Sequence, residues 1–418
     1  MMNAQNYLVK IKQVKQQSKE FGCISTEQKN QTLLSMAVLI KEKQKEILAA
    51  NQLDLESAIK SGLSDAMVDR LRLNDERICQ MIESLTQVAS LDDPLTVERN
   101  AIVRPIGIEV KKKSIPLGVI LMIYESRPNV TVEAAALALK SGNAIILRGG
   151  KEAFETNQLL GTIWKQALLE NDLNETNVFV LDTTDREILD ELLKMDEFID
   201  VVIPRGGEGL IRHVVANSYI PVIKHYKGVC HLYINQSADF EKALNILVNG
   251  KTQRPGVCNA LEGLLVDRSI AADFLPAAVK ALREKNVVIK GCEESCAIDS
   301  YIELAKDDDF GAEFLSLIIS CKVVSDLEEA IKVIDRYGSG HTEVVVTEDS
   351  NVAERFINRV DASVVMVNAS SRFSDGGELG LGAEIGISTS KLHAYGPMGL
   401  DALTSEKFVV VGDGQVRG

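Results

Sequence analysis

Cys258 has the clearest potential for covalent chemistry in this chain of 418 residues. It follows Pro255 and Gly256, and neither of these residues supports a regular helix or a central strand. A thiol behind such a turn can face a cleft, and a thiolate is the strongest nucleophile among the ordinary side chains near neutral pH. The alternative is that Cys258 is a small buried hydrophobe, as many lone cysteines are.

Two glycine-rich segments have the composition of phosphate-binding turns. Each follows a predicted strand and precedes a predicted helix, so backbone N–H groups and the helix dipole can face a phosphate. Neither has the G-x-G-x-x-G pattern, and a tight strand-to-helix turn is the alternative. The cations Arg148 and Lys151 favour the 2′-phosphate of NADP over the 2′-hydroxyl of NAD. The candidate cofactor-binding residues in these segments are Arg148, Gly149, Gly150, Lys151, Gly206 and Gly207.

Asn129 is a candidate for stabilising negative charge. It lies in Ser126-Arg-Pro-Asn-Val-Thr131, which ends a long apolar strand. Its side-chain amide can donate a hydrogen bond to an oxyanion that develops during a reaction. A simple turn is the alternative, because Pro-Asn is a common loop dipeptide.

Composition and charge exclude several classes of function. The net charge of −14 gives no attraction to nucleic acid or to an anionic membrane. The basic run at 111–113 is interpreted as a solvated strand edge, where lysines oppose edge-to-edge pairing. The first residues lack the apolar core of a signal peptide, and no segment has the length of a transmembrane helix.

The cysteines and histidines point away from disulfides and metal. Seven cysteines in this length do not make a disulfide framework. Cys292 and Cys296 are close in sequence, but no second pair and no histidine cluster completes a zinc site. The sequence therefore predicts a reducing, cytoplasmic environment and no structural metal.

The elements that must position these residues alternate between strands and helices. Residues 5–90 have the apolar spacing of helices. Residues 102–110 predict two short strands joined around 105–107, and the second is expected to continue as one strand through 114–124. The length predicts more than one domain, and β-α alternation predicts parallel α/β sheets. Further strands are predicted at 144–147, 178–181, 201–203, 230–234, 264–266, 287–289, 344–346, 364–367 and 407–412. Helices are predicted at 132–139, from about 152, at 186–193, from about 210, at 240–248 and at 327–334. Residues 368–397 are rich in Gly and Ser and are expected to form loops that shape the site.

Five segments, spread over nearly the whole chain, share their residues with one superfamily. They are Ile120-Leu-Met-Ile-Tyr-Glu-Ser-Arg-Pro-Asn-Val-Thr131, residues 138–151, Pro221-Val-Ile-Lys-His225, Thr252-Gln-Arg-Pro-Gly-Val-Cys-Asn-Ala260 and His393-Ala-Tyr-Gly-Pro-Met-Gly-Leu400. Together they resemble the aldehyde dehydrogenase superfamily, and within it the branch that reduces L-glutamyl 5-phosphate. The resemblance implies two Rossmann-like parallel α/β domains and a small β-flap that supports dimerisation. The implied divisions are an NADP(H)-binding domain at 1–95 and 115–228, a catalytic domain at 229–395 and a flap at 96–114 and 396–418.

The resemblance also assigns roles to residues. Cys258 would be the nucleophile, and Asn129 with the backbone N–H of Cys258 would form the oxyanion hole. Arg148 stands where relatives place a lysine on the adenosine ribose. Lys151 replaces a frequent glutamate, which is consistent with NADP(H), and Glu313 matches the glutamate that relatives use on the nicotinamide ribose.

One departure from the superfamily bears on the reaction. Hydrolytic members carry a glutamate base in a Glu-Leu-Gly-Gly motif, whereas the matching segment here is Tyr226-Lys-Gly-Val229. Without a base to activate water, an acyl-enzyme is better suited to exchange with phosphate. The resemblance thus implies NADPH-dependent reduction of glutamyl phosphate in proline biosynthesis, a homodimer and functional coupling to glutamate 5-kinase.

The substrate's two anionic groups require cations. The candidates that flank the site loops are Arg127, Arg254 and Arg372, and a structural ion pair is the alternative for each of them. Three other functions stay open at this point. They are a coenzyme-A-acylating aldehyde dehydrogenase, a metalloenzyme like histidinol dehydrogenase, and a dinucleotide-binding protein without catalysis.

Overall fold

The computed structural model describes residues 4–97 and 100–417, which form two compact units. The first unit runs from the amino terminus to Lys224 and includes Leu381–Gly386 and the residues from Met398 onward. The second unit comprises His225–Gly380 and Ile387–Pro397. The predicted domain and flap segments include residues 1–3, 98, 99 and 418, which lie outside the described residues.

The first unit contains helices before and around a four-stranded sheet. Its helices are α1 (Ala4–Phe21), α2 (Thr26–Glu42), α3 (Gln44–Lys60), α4 (Asp65–Leu71), α5 (Asp75–Ser90), α6 (Pro128–Lys140), α7 (Phe154–Glu170), α8 (Arg186–Leu192) and α9 (Glu208–Asn217). Its strands are β1 (Ile102–Val103), β2 (Glu109–Pro116), β3 (Val119–Tyr124), β4 (Ala144–Arg148), β5 (Val178–Val180), β6 (Val201–Arg205) and, from the end of the chain, β16 (Thr404–Val411). The order β5-β4-β3-β6 is parallel throughout, and β3 is buried along its whole length.

The second unit is a seven-stranded parallel sheet with helices between its strands. Its strands are β7 (Cys230–Ile234), β8 (Leu261–Asp267), β9 (Val288–Gly291), β10 (Glu303–Leu304), β11 (Ile318–Val324), β12 (Thr342–Val346) and β13 (Val364–Val367). Its helices are α10 (Phe240–Thr252), α11 (Arg268–Arg283), α12 (Glu293–Ile298), α13 (Leu327–Tyr337) and α14 (Ser350–Arg359). The strand order is β10-β9-β11-β8-β7-β12-β13, and the strands β14 (Gly386–Ser388) and β15 (Gly396–Met398) pair separately. The predicted α/β class with two parallel sheets is confirmed.

Polar caps start the helices in both units. The side chains of Ser25, Asn74, Asp239 and Asp326 each accept a backbone N–H of the first helical turn. Such caps satisfy donors that the helix leaves unpaired. Helix α6 instead begins with Pro128, whose missing N–H costs nothing in that position.

The predicted hairpin is present and belongs to a three-stranded antiparallel sheet, β1-β2-β16. Among the described residues, β1 pairs with Glu109 and Val110, whereas β16 pairs with β2 from Glu109 to Pro116. The lysines at 111–113 are exposed there. They are solvated as predicted, but β2 is the middle strand of its sheet and not an edge strand.

The prediction of one continuous strand through 114–124 is wrong. Strand β2 ends at Pro116, β3 begins at Val119, and the two belong to different sheets. Gly118 makes the break with a φ of +123°, a conformation that side chains disfavour. The Asp200 carboxylate fills the space beside Gly118. It accepts a hydrogen bond from the Val119 N–H over 2.7 Å and forms an ion pair with Lys15 at 2.6 Å.

Three longer elements of the second unit were not predicted: α11, β11 and α14. Helix α11 contains Pro276 in its interior, which interrupts the expected helical pattern. Strand β11 includes Ser320 and Lys322 among its apolar residues. None of the described helices combines the length and apolar character needed to cross a membrane.

Replacing Gly118 with alanine is expected to destabilise the first unit. An added Cβ would overlap the Asp200 carboxylate, with Cγ at 2.7 Å, and would hold a disfavoured φ. Backbone strain of this kind costs about 1–3 kcal/mol, so the thermal unfolding midpoint should fall clearly. The matched control is Gly209→Ala in α9, where the added Cβ meets nothing within 4 Å. An unchanged midpoint in Gly118→Ala would contradict this account of the strand break.

Candidate active site

Cys258 lies in the loop between α10 and β8, and it is partly buried. The segment that follows β13 holds this loop in place. Asn259 donates from Nδ2 to the Ser374 carbonyl over 2.8 Å, and Ser371 Oγ donates to the Asn259 carbonyl over 2.7 Å. Residues of the Gly- and Ser-rich stretch 368–397 thus pack directly on the loop of the candidate nucleophile.

Gly228 approaches Cys258 more closely than any side chain would allow. A Cβ added at Gly228 would lie 2.7 Å from both Cα and Cβ of Cys258 and would overlap its carbonyl oxygen. Gly228 immediately precedes the segment that enters β7, while Cys258 precedes β8. Because β7 and β8 are neighbours in a parallel sheet, their amino ends bring the two loops together.

A second thiol, that of Cys230, forms a hydrogen bond to the nucleophile loop. Cys230, the first residue of β7, is fully buried and its Sγ lies 3.2 Å from the Cys258 carbonyl oxygen, to which it donates. Burial raises the pKa of the Cys230 thiol well above its usual range. Cys230 therefore stays a protonated hydrogen-bond donor, in contrast to the partly exposed Cys258.

A buried ion pair connects the two ends of the same loop. Lys251, near the end of α10, contacts Glu262 on β8 at 2.6 Å, and both side chains are 0% exposed. The other Glu262 oxygen accepts the Leu315 N–H over 3.1 Å. Burial lowers the pKa of Lys251 and raises the pKa of Glu262 to about 7, and the attraction between them opposes both shifts.

Glu313 is connected to the nucleophile loop by way of Gly228, which packs against Cys258. Its Oε1 accepts the Gly228 N–H over 2.9 Å, and Lys227 Nζ donates to the Gly311 carbonyl over 2.8 Å. The segment 311–315 therefore binds to the segment 227–228 by two hydrogen bonds. Glu313 and Cys258 are thus both neighbours of Gly228.

Two of the three candidate arginines, Arg254 and Arg372, belong to the second unit, and Arg372 interacts electrostatically with Cys258. Arg372 is partly buried and donates from Nε to Gln253 Oε1 over 2.6 Å, while Arg254 is exposed. Burial lowers the pKa of Arg372, and the neighbouring charge of Arg254 adds to the effect. The interaction with Cys258 opposes this shift, because it raises the pKa of Arg372. A pair of cations thus flanks the nucleophile loop, whereas Arg127 belongs to the first unit.

The other predicted residues gather at one edge of the first unit's sheet. Strands β3, β4 and β6 are parallel neighbours, and Asn129, Gly149 and Gly206 follow their carboxyl ends. Carboxyl edges of parallel sheets are the usual ligand-binding edges of this architecture. Asn129, in the first turn of α6, donates from Nδ2 to Glu133 Oε1 over 3.0 Å.

The surroundings of the Gly149–Gly150 turn suit an anionic group of a cofactor. Arg148 donates from Nη2 to the Thr184 carbonyl over 2.7 Å, but its Nε is buried without a hydrogen-bond partner. Lys151 is exposed beside it. A Cβ at Gly149 would lie 3.2 Å from Asn157 Cγ and overlap its amide nitrogen, so the turn requires glycine. A bound anionic group would give the buried Arg148 Nε a hydrogen-bond acceptor and would lie next to the exposed cation of Lys151.

The Gly206–Gly207 turn has an acidic neighbour. Glu125 Oε2 accepts the Gly207 N–H over 2.9 Å. This carboxylate lies where a phosphate would approach the start of α9. The turn at Gly149 also has an acidic neighbour, because the Glu152 carboxylate lies beside Gly150.

Sequence reasoning missed four contacting residues: Gly228 as a close neighbour, Cys230, Lys251 and Glu262. Lys251 and Glu262 flank Cys258 in sequence, but nothing in their type shows that they pair. Gly228 lies in the segment that lacks the glutamate of the Glu-Leu-Gly-Gly motif, but its steric role required the structure. Among the described residues, no group of three or more His, Cys, Asp or Glu side chains is arranged to hold a metal ion.

Comparison with known proteins identifies the family of the chain. The sequence model described as "Aldehyde dehydrogenase family" matches residues 2–311 and 302–409. A curated gamma-glutamyl phosphate reductase from Desulfatibacillum aliphaticivorans is 54% identical over 400 residues, which is 96% of each chain.

Two solved structures extend the comparison. The crystal structure of gamma-glutamyl phosphate reductase from Thermotoga maritima has a TM-score of 0.96 at 44% identity, over 98% of this chain and 99% of that one. Glyceraldehyde-3-phosphate dehydrogenase GapN from Methanocaldococcus jannaschii, complexed with NADP, shares the fold with a TM-score of 0.69 at 17% identity, over 99% and 95% of the chains. The chain therefore belongs to the aldehyde dehydrogenase family, a family of oxidoreductases, and its relatives within that family are gamma-glutamyl phosphate reductases.

Proposed function

We propose that this protein reduces L-glutamyl 5-phosphate with NADPH to L-glutamate 5-semialdehyde and phosphate, the second step of proline biosynthesis from glutamate. The observation that carries the proposal is the surroundings of Cys258. The thiol is partly exposed, a glycine packs against it, cations flank its loop and the segment 226–229 contains no carboxylate. The relatives named gamma-glutamyl phosphate reductase give the substrate.

The chemistry begins with the thiolate of Cys258. It attacks the acyl carbon of the substrate, an S–C bond forms, and the C–O bond to phosphate breaks, so that inorganic phosphate leaves and a thioester remains. NADPH, when bound, supplies the hydride that reduces the thioester carbon. The resulting thiohemiacetal oxyanion collapses by breaking the C–S bond, which releases the aldehyde and restores the thiolate.

The oxyanions of both tetrahedral intermediates need hydrogen-bond donors. Asn129 and the backbone N–H of Cys258 take this role in the proposal. One such donor typically lowers the activation barrier by about 3–4 kcal/mol. Cys230, the Lys251–Glu262 pair and Asn259 hold the backbone of the Cys258 loop, so the N–H does not have to be oriented during the reaction.

Cations serve the anionic ends of both substrates. Arg254 and Arg372 are proposed to bind the phosphate or the α-carboxylate of glutamyl phosphate, and Arg127 to assist from the first unit. The residues proposed to hold NADP(H) are Arg148, Gly149, Gly150, Lys151, Gly206 and Gly207. Glu313 is proposed to bind the nicotinamide ribose. The buried unpartnered Nε of Arg148 supports its assignment to the cofactor site.

Two partners follow from the same proposal. The three-stranded sheet β1-β2-β16 exposes apolar side chains and is proposed to support a homodimer; these side chains are Ile102, Val103, Phe408, Val410 and Val411. Acyl phosphates are short-lived in water, so the kinase that makes the substrate, glutamate 5-kinase, is proposed to act in functional coupling with this enzyme.

The reverse reaction tests the proposal directly. With glutamate 5-semialdehyde and NADP⁺, NADPH should form at a rate that depends on inorganic phosphate, because phosphate must release the acyl group from Cys258. Absorbance of NADPH at saturating and zero phosphate measures this dependence. Turnover without phosphate would instead indicate hydrolysis by an unrecognised base, and turnover that requires coenzyme A would favour the acylating alternative.

Cys258→Ala is expected to abolish turnover in this assay while NADPH binding stays near that of the wild type. The reason is that the thiol forms and breaks the only covalent bond to the substrate. NADPH fluorescence titration and the phosphate-dependent assay measure the two properties. Cys79→Ala, which removes an exposed thiol on α5, is the matched control and should keep full activity. Substantial activity in Cys258→Ala would disprove the nucleophile assignment.

Gly228→Ala is expected to reduce kcat by about 10²-fold, the loss typical of a displacement of about 1 Å at a reacting group. The added methyl would overlap Cys258, so either the nucleophile or the strand beside it must move. Steady-state kinetics and thermal unfolding should be measured together. Gly256→Ala is the control from the nucleophile's own loop, because its added Cβ would lie 3.8 Å from its nearest neighbour, the Leu315 carbonyl. Equal activity losses in both variants would argue against the close contact as the cause.

A further inference from the structure

Glu133 is a carboxylate bonded directly to the side chain of Asn129. The two residues lie one turn apart on α6, where side chains of such spacing share a face. Nδ2 of Asn129 donates to Oε1 of Glu133 over 3.0 Å. Glu133 is partly buried, and the rest of the helix after it, residues 134–140, is buried. A carboxylate in such a place needs a reason, because burying a charge is costly.

The partner of an amide decides which way the amide faces. An ionised carboxylate only accepts hydrogen bonds, whereas the asparagine side chain has donors at one end and an acceptor at the other. Glu133 therefore selects the rotamer in which the Asn129 nitrogen faces it. The same nitrogen keeps a second N–H for another acceptor. If the amide turned over, Asn129 would present its carbonyl oxygen, which repels an oxyanion.

We propose that Glu133 is a positioning residue that keeps the Asn129 amide turned to donate to the reacting oxygen, and that protonation of Glu133 removes this control. The inference rests on the oxyanion role proposed above for Asn129. Glu133 itself does not contact the substrate. Once protonated, its O–H can donate to Oδ1 of Asn129, and the amide is free to turn over.

The charges around Glu133 define the direction of the pH effect. Burial raises the pKa of Glu133, and the hydrogen bond from Asn129 opposes this rise. The cations that act on it are Arg205, at the end of β6, and Arg127, immediately before α6, and both also favour the ionised form. Because the pKa is raised, the carboxylate is lost at a higher pH than usual as the pH falls. The orienting effect is present above this pKa and lost below it.

Two substitutions separate positioning from folding. Glu133→Leu removes the acceptor and is expected to lower kcat by about 10²–10³-fold, the loss typical for one oxyanion donor. KM and the rate of Cys258 alkylation by iodoacetamide should stay near the wild-type values. Glu133→Gln, like the protonated acid, can both accept and donate a hydrogen bond, so its kcat should stay at the low acid-side value of the wild type at every pH, and the decrease of kcat on the acid side should disappear. Glu83→Gln, an exposed position on α5, should show the wild-type pH profile.

The phosphate-dependent assay with Asn129→Ala distinguishes the possible failures. If Asn129→Ala is impaired but Glu133→Leu has wild-type kcat, the positioning role is overturned and the oxyanion role stands. If Asn129→Ala has wild-type kcat, the proposed oxyanion role fails, and the inference fails with it. An acid-side decrease that persists unchanged in Glu133→Gln would overturn the protonation step. This pH profile also decides the question if Glu133→Leu does not fold, which thermal unfolding reveals.

Discussion

The buried ion pair between Lys251 and Glu262 is the interaction on which the second unit's candidate site depends. It joins the helix before the Cys258 loop to the strand after it, with no exposure of either side chain. A buried pair is a poor source of net stability, but loss of one partner leaves an uncompensated charge and typically costs about 3–5 kcal/mol. Separation of the two charges is therefore disfavoured, which keeps the two ends of the loop close together. The effect of the pair on this protein is thus to fix the geometry of the nucleophile loop.

The same carboxylate also organises the loop before β11. Glu262 accepts the Leu315 N–H, and Leu315 has a φ of +52°, which is uncommon for a leucine. Glu313 lies two residues before it and bonds to Gly228, which in turn packs on Cys258. A closed chain of contacts thus runs from the ion pair through both loops and back to the thiol. If Glu313 binds the nicotinamide ribose as proposed, the cofactor and the nucleophile are held by one rigid network.

The sequence was sufficient for the parallel sheets and for the candidate nucleophile, because local patterns encode both. Strand β3 is a continuous apolar run, and Pro255-Gly256 marks the turn before Cys258. The break at Gly118 was missed because its cause is distant: the Asp200 carboxylate fills the space that a side chain would need. Helix α11 was missed because its interior Pro276 contradicts local propensity, while burial of its apolar face outweighs that cost.

The fate of an acyl-enzyme depends on whether a carboxylate near it can activate water. Two of the carboxylates near the Cys258 loop, those of Glu262 and Glu313, form hydrogen bonds within the protein. Glu262 is fully buried and bonded to Lys251 and Leu315, so water does not reach it. Glu313 accepts the N–H of Gly228. A general base must be free to take a proton from water, and a carboxylate that serves as a structural acceptor loses part of that capacity. In the proposed reaction, the network that holds the Cys258 loop therefore also disfavours hydrolysis of the acyl-enzyme, which supports the proposal that phosphate is the better acceptor of the acyl group.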